Sequence, residues 1–383
     1  SASLGEDVGV LAVAFSPSGK TLATVDETGQ VRLRNARAGT ETLSFNLLTP
    51  RERMAIFRSA KRQKILTGGI AFSPDGATLA VGGGPVVKLY DVADGRLDLR
   101  FVDKWLIGTP AGIEGSSPPR PESGKRGGSV RGLPIPYALG QVFCVAFSPD
   151  GTLLATSGDV IREVGEDTGA TGGKVKLWDA KTGELKRDLG EWYGAVRSVA
   201  FSPDGKTLAS IGTRAPAGHS SVRLWDPQTG VLKRDLLIGR GGLPWSLAFS
   251  PDGNLLANSA LVIGGDLTGR QGERNCRLLV WNARHKALLV HRLLPGLASL
   301  SFSADSKTLA AGVDGQGVIL WDPETLQLKG QIAPSTDLPR EIKGPVQVAF
   351  SPIGNLLAIG AENERHGFIT VWEIGQADAG AAK

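Results

Sequence analysis

The sequence predicts an all-β chain assembled from seven copies of one four-stranded antiparallel unit, and three observations carry that expectation. A segment of the form xVAFSPDGKTLA recurs seven times, anchored on Phe15, Phe72, Phe147, Phe201, Phe249, Phe302 and Phe350, about 48 to 75 residues apart. Each copy is followed by a second anchor, in order VRLRN, VKLYD, VKLWD, VRLWD, LLVWN, VILWD and TVWE. The 383 residues include 52 glycines with no every-third-residue period, so the excess signals many tight turns rather than a collagen helix.

Each unit reads element by element. Counting back from the anchor Phe, the second residue is always large and aliphatic (Val13, Ile70, Val145, Val199, Leu247, Leu300, Val348) and the one between is Ala or Ser. That period of two marks a first strand. The S-P-D-G that follows has the chemistry of a type I turn: Ser accepts at position i, Pro presets φ, Asp suits the next position and Gly tolerates the exit conformation. On this reading Gly205→Val strains the turn, and the sixth copy, which already carries Ser306 there, should tolerate change better. KTLA or NLLA is the second strand and the VRLWD run the third. D-x-x-T-G turns such as DAKTGE and DPQTGV then lead into a fourth, for example ELKRDL from Glu184.

Seven such units with Trp-Asp endings resemble the WD40 repeats of a β-propeller, in the degenerate FSPDG style of bacterial members, over essentially the whole chain. The resemblance implies a seven-bladed β-propeller of four-stranded antiparallel blades filling 1–383 as one domain, with blades near 10–47, 68–101, 141–189, 195–237, 244–294, 297–332 and 345–375. The Gly-His pair that many WD40 repeats carry before the first strand is missing, because His219, His285, His291 and His366 occupy no such position. The family's buried Asp-His-Ser-Trp tetrad is therefore not expected to form as usual, leaving packing to hold the blades. Arg34 and Tyr90 stand at the Trp position of blades 1 and 2. Such propellers complete the last blade with a strand from the other chain end. After FITVWEI from Phe368 the tail GQADAGAAK has no alternating apolar pattern, so residues 1 to 5 are expected along the outer edge of blade 7. Only a stub of that strand is present, which points to a chain cut from a longer one.

Propeller topology puts the turns between strands one and two, and three and four, on one face. All of the longer segments fall on the other: 47–67 and 102–140 between blades, and 158–173, 211–220, 259–276 and 361–367 between strands two and three. Long loops in compact domains are usually functional or disordered, so this elaborated face is the expected binding face. Thr49, Pro50 and Glu52 form a capping box ahead of a short helix, which carries Arg51, Arg53, Arg58, Lys61, Arg62 and Lys64. Five of the eight tryptophans sit at the repeat's own position; the other three, Trp105, Trp192 and Trp245, lie with Tyr137 and Tyr193 in or beside between-blade loops. Trp and Tyr dominate many interfaces, which makes these five, with Arg126 of the 102–140 segment, candidates for partner binding. The alternative is that these aromatics cap the hydrophobic layers between blades, above all Trp245, whose parity matches the anchor Phe; for Trp192 and Tyr193 it stands equal with the binding reading.

Composition narrows the function further. The net charge is +5, small for this length, so nucleic acid is not the expected partner, and no apolar run or leader-like start suggests membrane insertion. Cys144 and Cys276 alone supply neither a disulfide framework nor a zinc site, His285 and His291 lack a further ligand nearby, and no phosphate- or dinucleotide-binding glycine pattern follows a strand. With no catalytic constellation, metal or cofactor expected, the reading is a monomeric, non-catalytic platform that binds a protein or peptide, as a scaffold or as the docking part of a longer protein. Two alternatives stand beside it: an enzyme built from Glu114, Asp159 or Glu191 with Arg126 at the channel mouth, and polyanion binding by the basic 51–64 helix.

Overall fold

The SPDG turns close hairpins that stack into a ring. A computed structural model describes residues 2–5, 8–48, 68–83, 86–102, 141–164, 167–214, 219–240, 242–262, 275–285, 287–296, 298–333, 342, 346–362 and 367–375. Their strands form seven four-stranded antiparallel sheets, six of them in plain chain order. Blade 4 is typical, with Val196–Phe201 innermost, then Leu208–Arg214, His219–Trp225 and Leu232–Arg240 outermost. The first strands pack on one another around the axis, and blade 7 (Gln347–Phe350) meets blade 1 (Val10–Phe15) to close a seven-bladed β-propeller. Closure comes from the N-terminus as expected: Ala2–Gly5 is the outer strand of blade 7, with Ala2 opposite Val371 and Gly5 opposite Phe368.

The core lies between blades. Ala209, Ile211, Val222 and Leu224 of blade 4 pack with Leu247, Leu256, Leu279 and Trp281 of blade 5, all buried, and the layer repeats around the ring. Each large side chain covered this way contributes roughly 1.5–3 kcal/mol.

The turns behave as their chemistry requires. In blades 2 to 6 the turn Ser (Ser73, Ser148, Ser202, Ser250, Ser303) donates its hydroxyl to the turn Asp at 2.5–2.6 Å. The same hydroxyl accepts the backbone N–H five residues on at 2.9 Å. Gly205 holds φ at 69°, and Ser306 at 61° shares that left-handed conformation. The blade 6 turn is therefore no more tolerant of a β-branched residue than the others, contrary to the reading of Ser306 from its sequence alone.

Half of the tetrad survives, which corrects the expectation that packing alone holds the blades. The indole Nε1 of Trp178 donates to Thr156 Oγ1 at 2.9 Å, that of Trp225 to Ser210 Oγ at 2.8 Å and that of Trp281 to Asn258 Oδ1 at 2.8 Å. Arg34 replaces Trp in blade 1 and donates to the equivalent Thr24 at 3.2 Å. Blade 6 has Ala311 at this place, and Trp321 Nε1 is buried without a hydrogen-bond partner among the described residues.

The 158–173 segment is not a loop inserted between strands. Leu153–Val164 and Asp167–Asp179 run through it as one long hairpin, paired out to Val164 opposite Asp167. The hairpin of blade 4 extends in the same way, to Arg214 opposite His219.

Candidate functional site at the channel mouth

Four inner strands share one irregularity: blade 1 has it between Val10 and Ala12, leaving out Leu11, and the consecutive blades 3, 4 and 5 have it at side chains that meet. The pairing of first and second strands shifts between Val142 and Cys144, between Val196 and Ser198, and between Pro244 and Ser246. A bulge leaves one residue out of the ladder and re-aims its side chain, and the residues so displaced are Phe143, Arg197 and Trp245. They meet. The Arg197 guanidinium carbon is 4.3 Å from the centroid of the Phe143 ring and 5.3 Å from that of Trp245. A side chain of blade 4 reaches both neighbouring blades from its first strand only at the inner rim. The bulges lie where the chain enters these strands, so the cluster sits at the channel mouth of the face that carries the long hairpins.

Among the described residues the Arg197 guanidinium has no hydrogen-bond acceptor and no carboxylate within ion-pairing distance. Burial pushes it below its ordinary pKa, and the charge of Asp159 opposes that shift. Asp159 stands at the same end of blade 3 and accepts the backbone N–H of Gln141. Burial raises its pKa, with the Gln141 bond and the Arg197 charge acting the other way. A guanidinium held between two aromatic faces keeps its edge N–H groups for an anion, and its partial desolvation strengthens whatever oxyanion reaches it.

The aromatics singled out in the sequence divide. Trp245 is half-buried in this cluster. Its parity with Phe249 suggested a place in the layer between blades, but the bulge takes it out of that register. Trp192 is 2% exposed and belongs to the core, stacked under the Arg223 guanidinium at 4.1 Å and packed against Gly212. It is not a surface aromatic. Tyr193, in the bend just past the end of that strand, is 53% exposed. Trp105, Tyr137, Arg51, Arg53, Arg58, Lys61, Arg62, Lys64 and Arg126 lie outside the described residues, as do the 51–64 helix and Glu114. The Glu191 side chain is likewise outside them. No group of three or more His, Cys, Asp or Glu suited to a metal occurs among the described residues.

Sequence reasoning missed Phe143 and Arg197 as site residues. A signal existed: the position four before the anchor Phe is Leu11, Gly68, Ala298 or Val346 in four copies, but Phe143, Arg197 and Trp245 in three adjacent ones. The opposite face has features of its own. Cavities of about 780, 490 and 330 Å³ open between blades 2 and 3, 4 and 5, and 6 and 7, each lined by the turns between first and second strands and by residues just past a third strand. Their common lining makes them a product of the repeat.

Among the described residues no helix is long and apolar enough to cross a membrane. The family described as WD domain, G-beta repeat matches residues 2–35, 137–179 and 183–226. No curated protein matches the chain. Three repeat matches, seven sheets in a closed ring and the retained Trp–Ser/Thr bonds support a WD40-repeat propeller, and the fold is a seven-bladed β-propeller.

Proposed function

We propose that this chain is a non-catalytic platform that binds a protein or peptide partner through the face bearing the long hairpins, with a carboxylate of the partner held by Arg197. WD40 propellers commonly mediate protein interactions, which supports the general role. The finer reading rests on one observation: a half-buried guanidinium between Phe143 and Trp245 whose donors are unused among the described residues. Exposed Tyr193, the bulged Trp245 and the long blade 3 hairpin favour the same face. Trp105, Tyr137, Arg126 and the basic 51–64 segment belong to that face by sequence and would widen the contact.

The test is partner capture by the whole chain and by two sets of variants. Arg197→Gln with Tyr193→Ala should reduce capture at least tenfold, the loss of one charge-assisted pair being about 1.5–3 kcal/mol. The control carries Lys20→Glu, Lys206→Glu and Lys307→Glu on the short-turn face and should bind as the parent does. Loss in the control with retention in the first set would move the site to the other face.

A further inference from the structure

Among the described residues the outer strand of each blade has one edge without a strand neighbour, a template that proteins commonly protect with charges, brevity or proline. Blade 7 uses the four-residue Ala2–Gly5. Glu41–Asn46, Leu97–Val102, Leu185–Trp192, Leu232–Arg240 and Leu328–Ile332 each carry Lys, Asp or Glu. Blade 5 breaks the pattern: its nine-residue outer strand, Ala287–Pro295, reads ALLVHRLLP and has none of the three. Leu288, Leu289 and Leu293 are 43%, 43% and 40% exposed. Its one permanent charge is turned toward blade 6, where Arg292 donates to the Leu326 carbonyl at 3.0 Å and stacks 4.5 Å from the Trp321 ring centroid.

The strand is also close to a palindrome about His291, reading Leu-Leu-Val-His-Arg-Leu-Leu from Leu288 to Leu294. We propose that this edge pairs antiparallel with the same edge of a second copy, about a two-fold axis at His291, extending blade 5 into an eight-stranded sheet across a homodimer. A two-fold interface must be self-complementary, and this ladder is. Val290 falls opposite the copy's Arg292, so the two arginines do not face each other, and the bulge that leaves Leu289 out of register with the third strand brings Leu288 and Leu289 together against the copy's Leu293 and Leu294. Side chains of a pair share a sheet face, which covers the exposed leucines of both copies together. The outer strands of blades 1 to 4 and 6 bring Lys, Asp or Glu to any such pairing, whereas the one charge of blade 5, Arg292, is engaged with blade 6, which leaves blade 5 as the edge suited to a copy of itself.

Light scattering coupled to gel filtration should give twice the 40.1 kDa chain mass at micromolar concentration. The pair Leu289→Lys and Leu293→Lys should return it to the single-chain mass with an unchanged circular-dichroism melt. Register is read by cross-linking. A residue on the two-fold lies about 4.5–5.5 Å from its copy, within disulfide reach. His291→Cys should therefore give a covalent dimer on mild oxidation, while Leu289→Cys alone should not, and Leu289→Cys mixed with Leu293→Cys should. A single-chain mass for the parent throughout, a dimer that survives the two lysines, or self-cross-linking of Leu289→Cys would each overturn the proposal.

Discussion

Removing the indole's acceptor should cost more than any neighbouring surface change, and supplying one where it is lacking should do the reverse. Ser210 and Ala311 are equivalent: Leu208 faces Trp225 and Leu309 faces Trp321, and each of the two lies two residues further along its strand. Both are fully buried, at 0% exposure. Ser210→Ala leaves Trp225 Nε1 in the situation of Trp321 Nε1, a buried donor without a partner, which costs about 1–3 kcal/mol. Ala311→Ser offers Trp321 the missing oxygen and should return about 1 kcal/mol, the net worth of one ordinary hydrogen bond. Heat is a blunt assay for this. At roughly 2.1 cal/mol/K per residue, 383 residues give an unfolding entropy of about 0.8 kcal/mol/K, so each kcal/mol moves the midpoint by little more than about 1 K. Denaturant midpoints resolve the difference better, with the slope checked for constancy. A destabilised Ala311→Ser together with a neutral Ser210→Ala would show that the retained indole bonds contribute nothing to holding the blades.

The remaining predictions concern turns, acid and the buried aromatic. Gly205→Val should cost about 1–3 kcal/mol through its left-handed φ rather than through crowding, since an added Cβ meets Pro149 at an ordinary 3.6 Å. Ser306→Gly should be close to neutral by denaturant midpoint, because it relieves the same φ but loses the 3.1 Å bond from the Asp252 N–H. Asp75, Asp150, Asp204 and Asp305 have lowered pKa values, each chiefly from the turn Ser hydroxyl; Asp252 is also lowered, with burial the largest influence opposing its Ser250 and Asn254 bonds. Because their folded pKa values lie below the unfolded one, their contribution is complete above about pH 4 and lost as pH falls through the folded values. Denaturant midpoints should hold steady from neutral down to about pH 4 and then drop, and replacing these Asp by Asn should flatten the drop. Gly212→Ala places a Cβ 2.6 Å from the Trp192 ring, and should destabilise by about 1–3 kcal/mol and red-shift tryptophan emission. An unchanged spectrum and stability would mean that Trp192 is not packed as described.

The fold was legible because its determinants are local and repeated seven times. The Ser–Asp–Gly turn chemistry, the period of two before each Phe and the missing fourth strand of blade 7 all lie within a few residues, and the structure has each of them. The site was legible only in part. Trp245 was visible as an aromatic off the repeat's own position, but its environment depended on a bulge, which no period-two pattern encodes. The matching bulge in blade 4 hid Arg197, which parity places against the blade beside it. Trp192 stayed divided between layer and surface for a different reason: whether a ring at a loop edge turns inward is decided by Gly212, a residue 20 positions away that leaves room for it. The surviving half of the tetrad required Thr156, Ser210 and Asn258 to be matched with tryptophans on the next strand, a pairing that register supplies and motif does not.

The most direct test of recognition through Arg197 is selection of a displayed random-peptide library on the immobilised chain, run in parallel on the parent and on Arg197→Gln. The parent should enrich peptides carrying an Asp, a Glu or a free C-terminal carboxylate at one fixed position, and Arg197→Gln, with an unchanged melt, should lose that preference. Enrichment of the same acidic peptides by both proteins, or of peptides with no fixed carboxylate by the parent, would contradict the account.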